Sequence, residues 1–296
     1  MKHWITAARL RTLPLALSCI ITGSACAHIL GGFRWFIFIN ACITTILLQV
    51  LSNFSNDYGD GVKGTDENRI GPARAVQSGW ISHEEMKKGI VATIILTLIS
   101  GISLLIISGL NIIWTLIFFS FGILSILAAY KYTVGKNAYG YRALGDVFVF
   151  LFFGLMGVIG SSYLYIHTVS LSILLPAICI GALSTAVLHL NNMRDTENDI
   201  ASNKRTVANI IGIQKSKYYF VFLLITVMSS LIAYNYMRNT ASLYSYAFVL
   251  IYPLFFILIK KVMGTKEYAQ YDAYLKPLAL GTFGLSILFA IGLLWQ

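Results

Sequence analysis

The chain has 296 residues, of which 57% are hydrophobic and 11% charged, with a formal net charge of +10 and a mean hydropathy of +0.73. Soluble domains carry about a quarter charged residues, so this composition excludes a soluble enzyme, a disordered chain and a small disulfide scaffold, and places the protein in a lipid bilayer. The basic excess calls for no nucleic acid, because Lys and Arg in a polytopic membrane protein first serve orientation.

A crossing takes about 20 apolar residues, and nine windows meet that length: Leu13 to Leu30, Trp35 to Ser52, Gly89 to Leu110, Ile112 to Tyr130, Ala143 to Ile166, Val169 to Leu190, Tyr218 to Met237, Ala241 to Ile259, and Pro277 to Trp295. Lys2, Arg9 and Arg11 ahead of an apolar stretch that reaches Ser24-Ala25-Cys26-Ala27 imitate a signal peptide. The run continues to Leu30, so it reads as the first membrane helix. Cys19, Cys26, Cys42 and Cys179 sit in apolar runs with no C-x-x-C pair and no His at zinc spacing, and read as small apolar filler. Trp35, Trp114 and Trp295 fall at helix ends as interfacial anchors.

With the N-terminus in the cytoplasm, segments 1–12, 53–88, 131–142, 191–217 and 260–276 lie inside and hold 20 of the 22 Lys and Arg, only Arg34 and Arg238 falling outside. That is the distribution the positive-inside rule asks for. All twelve acidic residues fall on the same side. The expected fold is all-α: one membrane-embedded domain over residues 1–296, nine transmembrane helices in a single bundle, N-terminus cytoplasmic. Helices one to four and five to eight also read as loosely equivalent halves, because an acidic column ends the second helix of each.

The first acidic station, residues 53–74, opens Asn53-Phe-Ser-Asn56-Asp57-Tyr-Gly-Asp60-Gly-Val-Lys63-Gly64-Thr-Asp66. The second, residues 191–206, opens Asn191-Asn192-Met-Arg194-Asp195-Thr-Glu-Asn-Asp199. Residues four apart share a helix face, so Asn56 stands under Asp60, and Asn191, Asp195 and Asp199 form a column. Stacked carboxylates near hydrocarbon need cationic partners. Hard oxygen donors without His or Cys favour magnesium, which takes one or two carboxylates together with substrate phosphates. Two stations on different helices therefore suit metal ions straddling a diphosphate. Lys63, Arg69 and Arg74 beside the first, Lys204 and Arg205 beside the second, and Lys131 and Lys136 between them fit phosphate recognition. An ion-coupled transporter is the rival from another class, and it requires acids near mid-membrane rather than at one face.

The pattern Asn56-Asp57-x-x-Asp60 followed by another acid, paired with Asp195-x-x-x-Asp199, resembles the UbiA-type intramembrane aromatic prenyltransferases. Within them the chain is most similar to the branch acting on 1,4-dihydroxy-2-naphthoate. Arg11-Thr-Leu-Pro14, Leu51 to Asp66, Arg69-Ile-Gly-Pro72, Ser78-Gly79, Tyr139 to Gly154 and Asn191-Asn192-x-Arg194-Asp195 carry the likeness, which spans nearly the whole chain. One departure is Gly64, where the general pattern has an acid and this chain has Asp66 two places later.

The resemblance implies a nine-helix bundle in a bacterial cytoplasmic membrane that moves a polyprenyl chain from polyprenyl diphosphate to the naphthoate, with loss of the ring carboxylate, for menaquinone synthesis. Sister enzymes using 4-hydroxybenzoate, haem or a chlorin are the nearest alternatives. It implies Mg2+ held by Asn56, Asp57, Asp60, Asp66, Asp195 and Asp199, the catalytic acids among them being Asp57, Asp60, Asp195 and Asp199. Asp66 is either a loop ligand or a solvated residue. Lys63, Arg74, Lys136, Lys204, Arg205, Asn192 and Arg194 are candidate diphosphate contacts. Tyr132, Tyr139 and Tyr141 would shield a cation or orient the ring. Asp146 either pairs with Arg142 one turn earlier or helps position the naphthoate, and His189 reads as a packed residue rather than a base.

Overall fold

The computed structural model describes residues 2–64, 73–240 and 242–295, so Asp66 and Arg69 lie outside the described residues. Among those described, nine helices are long and apolar enough to cross a bilayer: α1 (Lys2–Ile29), α2 (Trp35–Lys63), α3 (His83–Ser108), α4 (Ile112–Lys131), α5 (Gly145–Ile166), α6 (Leu171–Arg194), α7 (Ile213–Met237), α8 (Leu243–Gly264) and α9 (Tyr268–Leu294). Each apolar window corresponds to one of them.

The windows locate the helices but not their polar ends. α2 does not stop near Ser52; it continues through the polar station to Lys63 and is capped by Gly64 at φ 69°, a conformation that favours glycine. α3 begins earlier than its window because Ser82 and Glu85 form a capping box. Pro277, read as opening the last helix, lies inside α9, where its missing N–H leaves the Ala273 carbonyl without its helical donor. α1 is broken: Lys2–Ala8 is helical, Arg9 turns left-handed, and the membrane portion resumes at Leu13.

α6 is the axis of the bundle, packed by α1, α5, α7 and α9. Small residues let these backbones approach, as in other membrane interfaces. A Cβ on Gly154 of α5 would sit 2.8 Å from the Gly181 Cα of α6, and one on Gly157 would sit 2.8 Å from the Cys19 Cβ of α1. Between Phe150 and Gly160, α5 is wound as a π-helix, a local widening that is rare outside functional regions. Cys19, Cys26 and Cys179 are buried and unbridged, in keeping with their reading as filler. α4 packs on α2 and α3 and leaves Leu116, Leu124 and Leu127 exposed on its outer face, as a lipid-facing helix does.

At the end of the bundle that carries the acids, three connections converge. The segment after Arg74 docks Ala75, Val76 and Ile81 into a small cluster with Ala7, Leu51, Phe54 and Met86. The loop from Tyr132 to Leu144 lies over the end of α2, where Thr133 Oγ1 donates to the Ser55 carbonyl at 2.9 Å. Its far part pairs with the loop after α6 through Ala143 N to Arg205 O at 2.8 Å and Arg205 N to Tyr141 O at 3.3 Å. One loop thus joins the two stations.

Leu at position 154 or 181 would force α5 off α6, at about 1–3 kcal/mol or more each. Gly154→Leu and Gly181→Leu are expected to melt several degrees below wild type in detergent, whereas Gly264→Ala, whose Cβ meets nothing within 4 Å, is expected to match it.

Candidate active site

The two acidic stations meet at one cavity of about 1090 Å³, with Asp57 and Asp199 set back from its lining. Asn56 and Asp60 of α2, Arg74, Asn191 and Asn192 of α6, Asp195 and Lys204 line its polar end. α4 and α5 give the rest an apolar wall that includes Phe118, Phe148, Phe152 and Met156. The helical column read at the second station survives the end of α6, because Asp195 N bonds Asn191 O at 3.1 Å and Asp199 N bonds Asp195 O at 2.8 Å across the turn.

Each aspartate is met by a different part of the chain. Asp60 accepts the Tyr141 hydroxyl at 2.8 Å and lies 3.4 Å from an Arg74 nitrogen. Asp57 accepts the backbone N–H groups of Ala75 and Val76 at 3.0 and 3.1 Å. Its carboxylate therefore organises the segment that carries Arg74, a tie that the motif alone does not reveal. Asn56 accepts from Thr133 Oγ1 at 3.2 Å. Asp195 is gripped by the Arg194 fork at 2.7 and 2.8 Å, and Asp199 lies 3.1 Å from Lys204 Nζ.

Tyr141, expected among the aromatic contacts, sits between the stations. Lys63 Nζ lies 3.7 Å from its ring centre and Lys204 Nζ 5.8 Å, so its hydroxyl holds one carboxylate while its faces attract both lysines. Arg194, expected to meet diphosphate, is fully buried and committed to protein: besides Asp195 it donates to Asp272 of α9 at 2.6 Å and Asn191 at 2.9 Å. Asn192 is buried at the cavity wall. Lys136 and Arg205 are exposed at the same end of the bundle.

One expectation changes at α5. Asp146 does not pair with Arg142, whose guanidinium instead donates to Asn137 at 2.6 Å. Asp146 turns inward, its Oδ2 lying 3.3 Å from His189 Nδ1 without the alignment of a hydrogen bond. His189 Nε2 is 3.3 Å from the Ser216 carbonyl, so that nitrogen carries its proton. Asp146 and His189 are both buried and tie α5, α6 and α7 below the site. Tyr132 and Tyr139 line the cavity. They begin an aromatic series: Tyr132 meets Tyr139 edge-on at 5.2 Å, Tyr139 stacks on Phe148 at 4.2 Å, and Phe148 on Phe152 at 6.0 Å.

Burial pushes the Asp199 carboxyl up to about 6, with Lys204 opposing and Asp195 adding to the rise. Burial works against the Lys204 charge, yet Asp199, Asp60 and Asp195 together hold its ammonium above the ordinary range. Burial, reinforced by Asp146, Asp60 and Asp199, raises the Tyr132 phenol, so it remains a neutral donor. Asp199 Oδ2 is buried with no hydrogen-bond partner. No three His, Cys, Asp or Glu side chains among the described residues form a metal cage by themselves. Hard oxygens, one of them an orphaned buried carboxylate atom, and a ligand set left for substrate to complete are what Mg2+ with a diphosphate requires. The residues fit that metal.

Removing Arg194 would strip the buried Asp195 carboxylate of its guanidinium fork and cut the tie to Asn191 and Asp272, at about 3–5 kcal/mol. Arg194→Ala is expected to unfold well below wild type in a thermal-shift assay, and Arg205→Ala, at an exposed position, to unfold with it.

The UbiA prenyltransferase family profile matches residues 16–276. The chain is 41% identical to a 1,4-dihydroxy-2-naphthoate octaprenyltransferase of Haemophilus influenzae, over 99% of this chain and 96% of the relative. It is 38% identical to the Escherichia coli protein of the same name, over 99% and 95%. A UbiA homologue from Archaeoglobus fulgidus, solved with GPP and Mg2+, superimposes with a TM-score of 0.64 over 95% of this chain and 99% of that one, at 14% identity, and so shares the fold. An acid-ended cavity inside nine apolar helices, and a match that runs almost from end to end, make this chain a member of the UbiA prenyltransferase family.

Proposed function

We propose that the protein transfers a polyprenyl group from its diphosphate to 1,4-dihydroxy-2-naphthoate with loss of the ring carboxylate, the prenylation step of menaquinone synthesis. The convergence of Asp60 and Asp195 on one cavity, polar at that end and aromatic beyond it, carries the reaction class. The 41% identity to the Haemophilus influenzae enzyme supports the acceptor and a long polyprenyl donor.

In this reading Asn56, Asp60, Asp195 and Asp199 hold Mg2+, and Asp57 acts by fixing the Arg74 segment. When bound, the metal supplies positive charge against the diphosphate. Lys63, Arg74 and Lys204 add fixed cations where negative charge grows as the allylic C–O bond breaks and its electron pair leaves with the diphosphate. Tyr141 keeps Lys63 and Lys204 in place between the stations. Tyr132, Tyr139 and Phe148 present ring faces to the allylic cation, and the apolar wall keeps water from reaching it before the naphthoate ring does. The ring gains the prenyl carbon and loses neutral carbon dioxide, whose bonding pair stays with the ring. With an ionised carboxylate that exchange consumes no net proton, so the site needs no dedicated base. His189, shut away below the cavity and bonded to Ser216, is then a structural residue.

The N-terminal Lys2–Ala8 segment lies at the acid end, where Asn53 donates to the Ala8 carbonyl at 2.8 Å. The 20 to 2 division of basic residues supports a site on the cytoplasmic side of a bacterial membrane.

Membranes holding the expressed protein, given octaprenyl diphosphate and either 1,4-dihydroxy-2-naphthoate or 4-hydroxybenzoate, are expected to prenylate the naphthoate and release carbon dioxide with Mg2+, and to be silent with EDTA. Product from hydroxybenzoate alone overturns the acceptor. Asp60→Ala and Asp195→Ala are expected to insert and fold but to lose at least roughly 100-fold in turnover; wild-type rates in either variant contradict the two-station site.

A further inference from the structure

The break in α1 is held in place from several sides. Arg9 adopts φ 50° and ψ 62°, a left-handed conformation that a side chain of its size avoids. The surroundings impose it. Thr12 closes the turn, its N and Oγ1 each donating to the Arg9 carbonyl at 2.9 Å. Asn53 of α2 donates to the Ala8 carbonyl at 2.8 Å and to Thr12 Oγ1 at 3.1 Å, and Gln49, one turn earlier, donates to Thr12 Oγ1 at 3.3 Å. On the other flank Trp4 packs edge-on against Phe54 at 5.4 Å and over Gly89 of α3. Strain maintained by so many partners is a sign of use.

The break brings Arg9 and Arg11 to the cavity wall beside Thr12, Gln49, Asn53 and Asn56. The substrates bring two separate anions into a space with an apolar wall: a diphosphate and an aromatic carboxylate. Arg74 and Lys204 stand against Asp60 and Asp199 and belong to the diphosphate end. A carboxylate left unmet in a low-dielectric cavity is strongly disfavoured, and a planar guanidinium is the partner that grips it with two parallel bonds.

We propose that Arg9, with Arg11 adding charge, binds the carboxylate of the aromatic acceptor, and that the broken α1 exists to aim it. This assignment rests on the naphthoate reading above. The contact is made to the group that departs as neutral carbon dioxide, so the product keeps nothing for Arg9 to hold and is released toward lipid. Because the contact belongs to the bound acid and is not strengthened as the carboxylate is lost, its removal raises the acceptor KM more than it lowers kcat.

Initial rates over both substrates, with Mg2+ present, test this in wild type, Arg9→Gln and Arg9→Gly. Glycine tolerates the left-handed conformation, so Arg9→Gly removes the guanidinium while relieving the backbone, and its melting temperature read beside that of Arg9→Gln separates lost binding from lost folding. The expected result is an acceptor KM raised about tenfold or more in both variants, with the octaprenyl diphosphate KM within twofold of wild type. 1,4-Dihydroxynaphthalene, which lacks the carboxylate, is expected to inhibit all three proteins equally. An unchanged acceptor KM, or a rise confined to the donor KM, overturns the assignment. Wild-type protein that uses 4-hydroxybenzoate and not the naphthoate overturns the acceptor reading alone, and the same comparison run with that acid still decides the role of Arg9.

Discussion

A carboxylate at the edge of a hydrocarbon slab persists only where donors or cations meet it, and among the described residues five buried aspartates, 57, 60, 146, 195 and 199, crowd one end of this bundle. Asp57, Asp60 and Asp146 are answered from distant parts of the chain, Asp195 and Asp199 from within their own station. Asp57 captures the backbone at Ala75 and Val76, Asp60 takes Tyr141 and Arg74, Asp195 takes Arg194, Asp199 takes Lys204, and Asp146 faces His189. The connections at this end are ordered largely because the acids need them. Arg194 carries the constraint further, since its bond to Asp272 fixes the start of α9 against the end of α6.

In the proposed reading the same electrostatic need makes the end of the bundle a diphosphate receptor. Structural pairs absorb much of the acidic charge, yet Asp199 Oδ2 keeps no partner, and Asn56, Asp60, Asp195 and Lys204 remain at the cavity wall. A site with both signs of charge close together binds a polyanion through metal and lysine together, with neither forming a closed cage. The apolar helices do separate work. Close packing of α5 on α1 and α6 leaves a dry aromatic trough beside the polar end, so bond breaking and carbon transfer share one enclosed space.

How much of this was legible depends on the range of the interaction. Hydropathy gave all nine helices because each crossing is decided within its own window. The Asn56–Asp60 and Asn191–Asp195–Asp199 columns followed from helical spacing, a local rule that the structure obeys even through the turn at Asp195. What required the fold was the choice of partner. Asp146 has Arg142 four residues away but faces His189, because the 3-10 turn at Tyr139–Tyr141 separates Arg142 from α5 and sends its side chain to Asn137. Tyr141 between two lysines, Arg194 spent on Asp272, and the left-handed Arg9 have no local signal. Each is set by an element far away in sequence.

Equilibrium binding of an unreactive octaprenyl thiolodiphosphate to the purified protein, titrated with Mg2+ in the absence of acceptor, reads the two stations directly. Binding is expected to require Mg2+ and to be lost in Asp60→Ala and Asp195→Ala alike, since on this account both columns would hold the metal that meets one diphosphate. Tight binding without Mg2+, or binding that survives in one of the two variants, would contradict a site built from both stations.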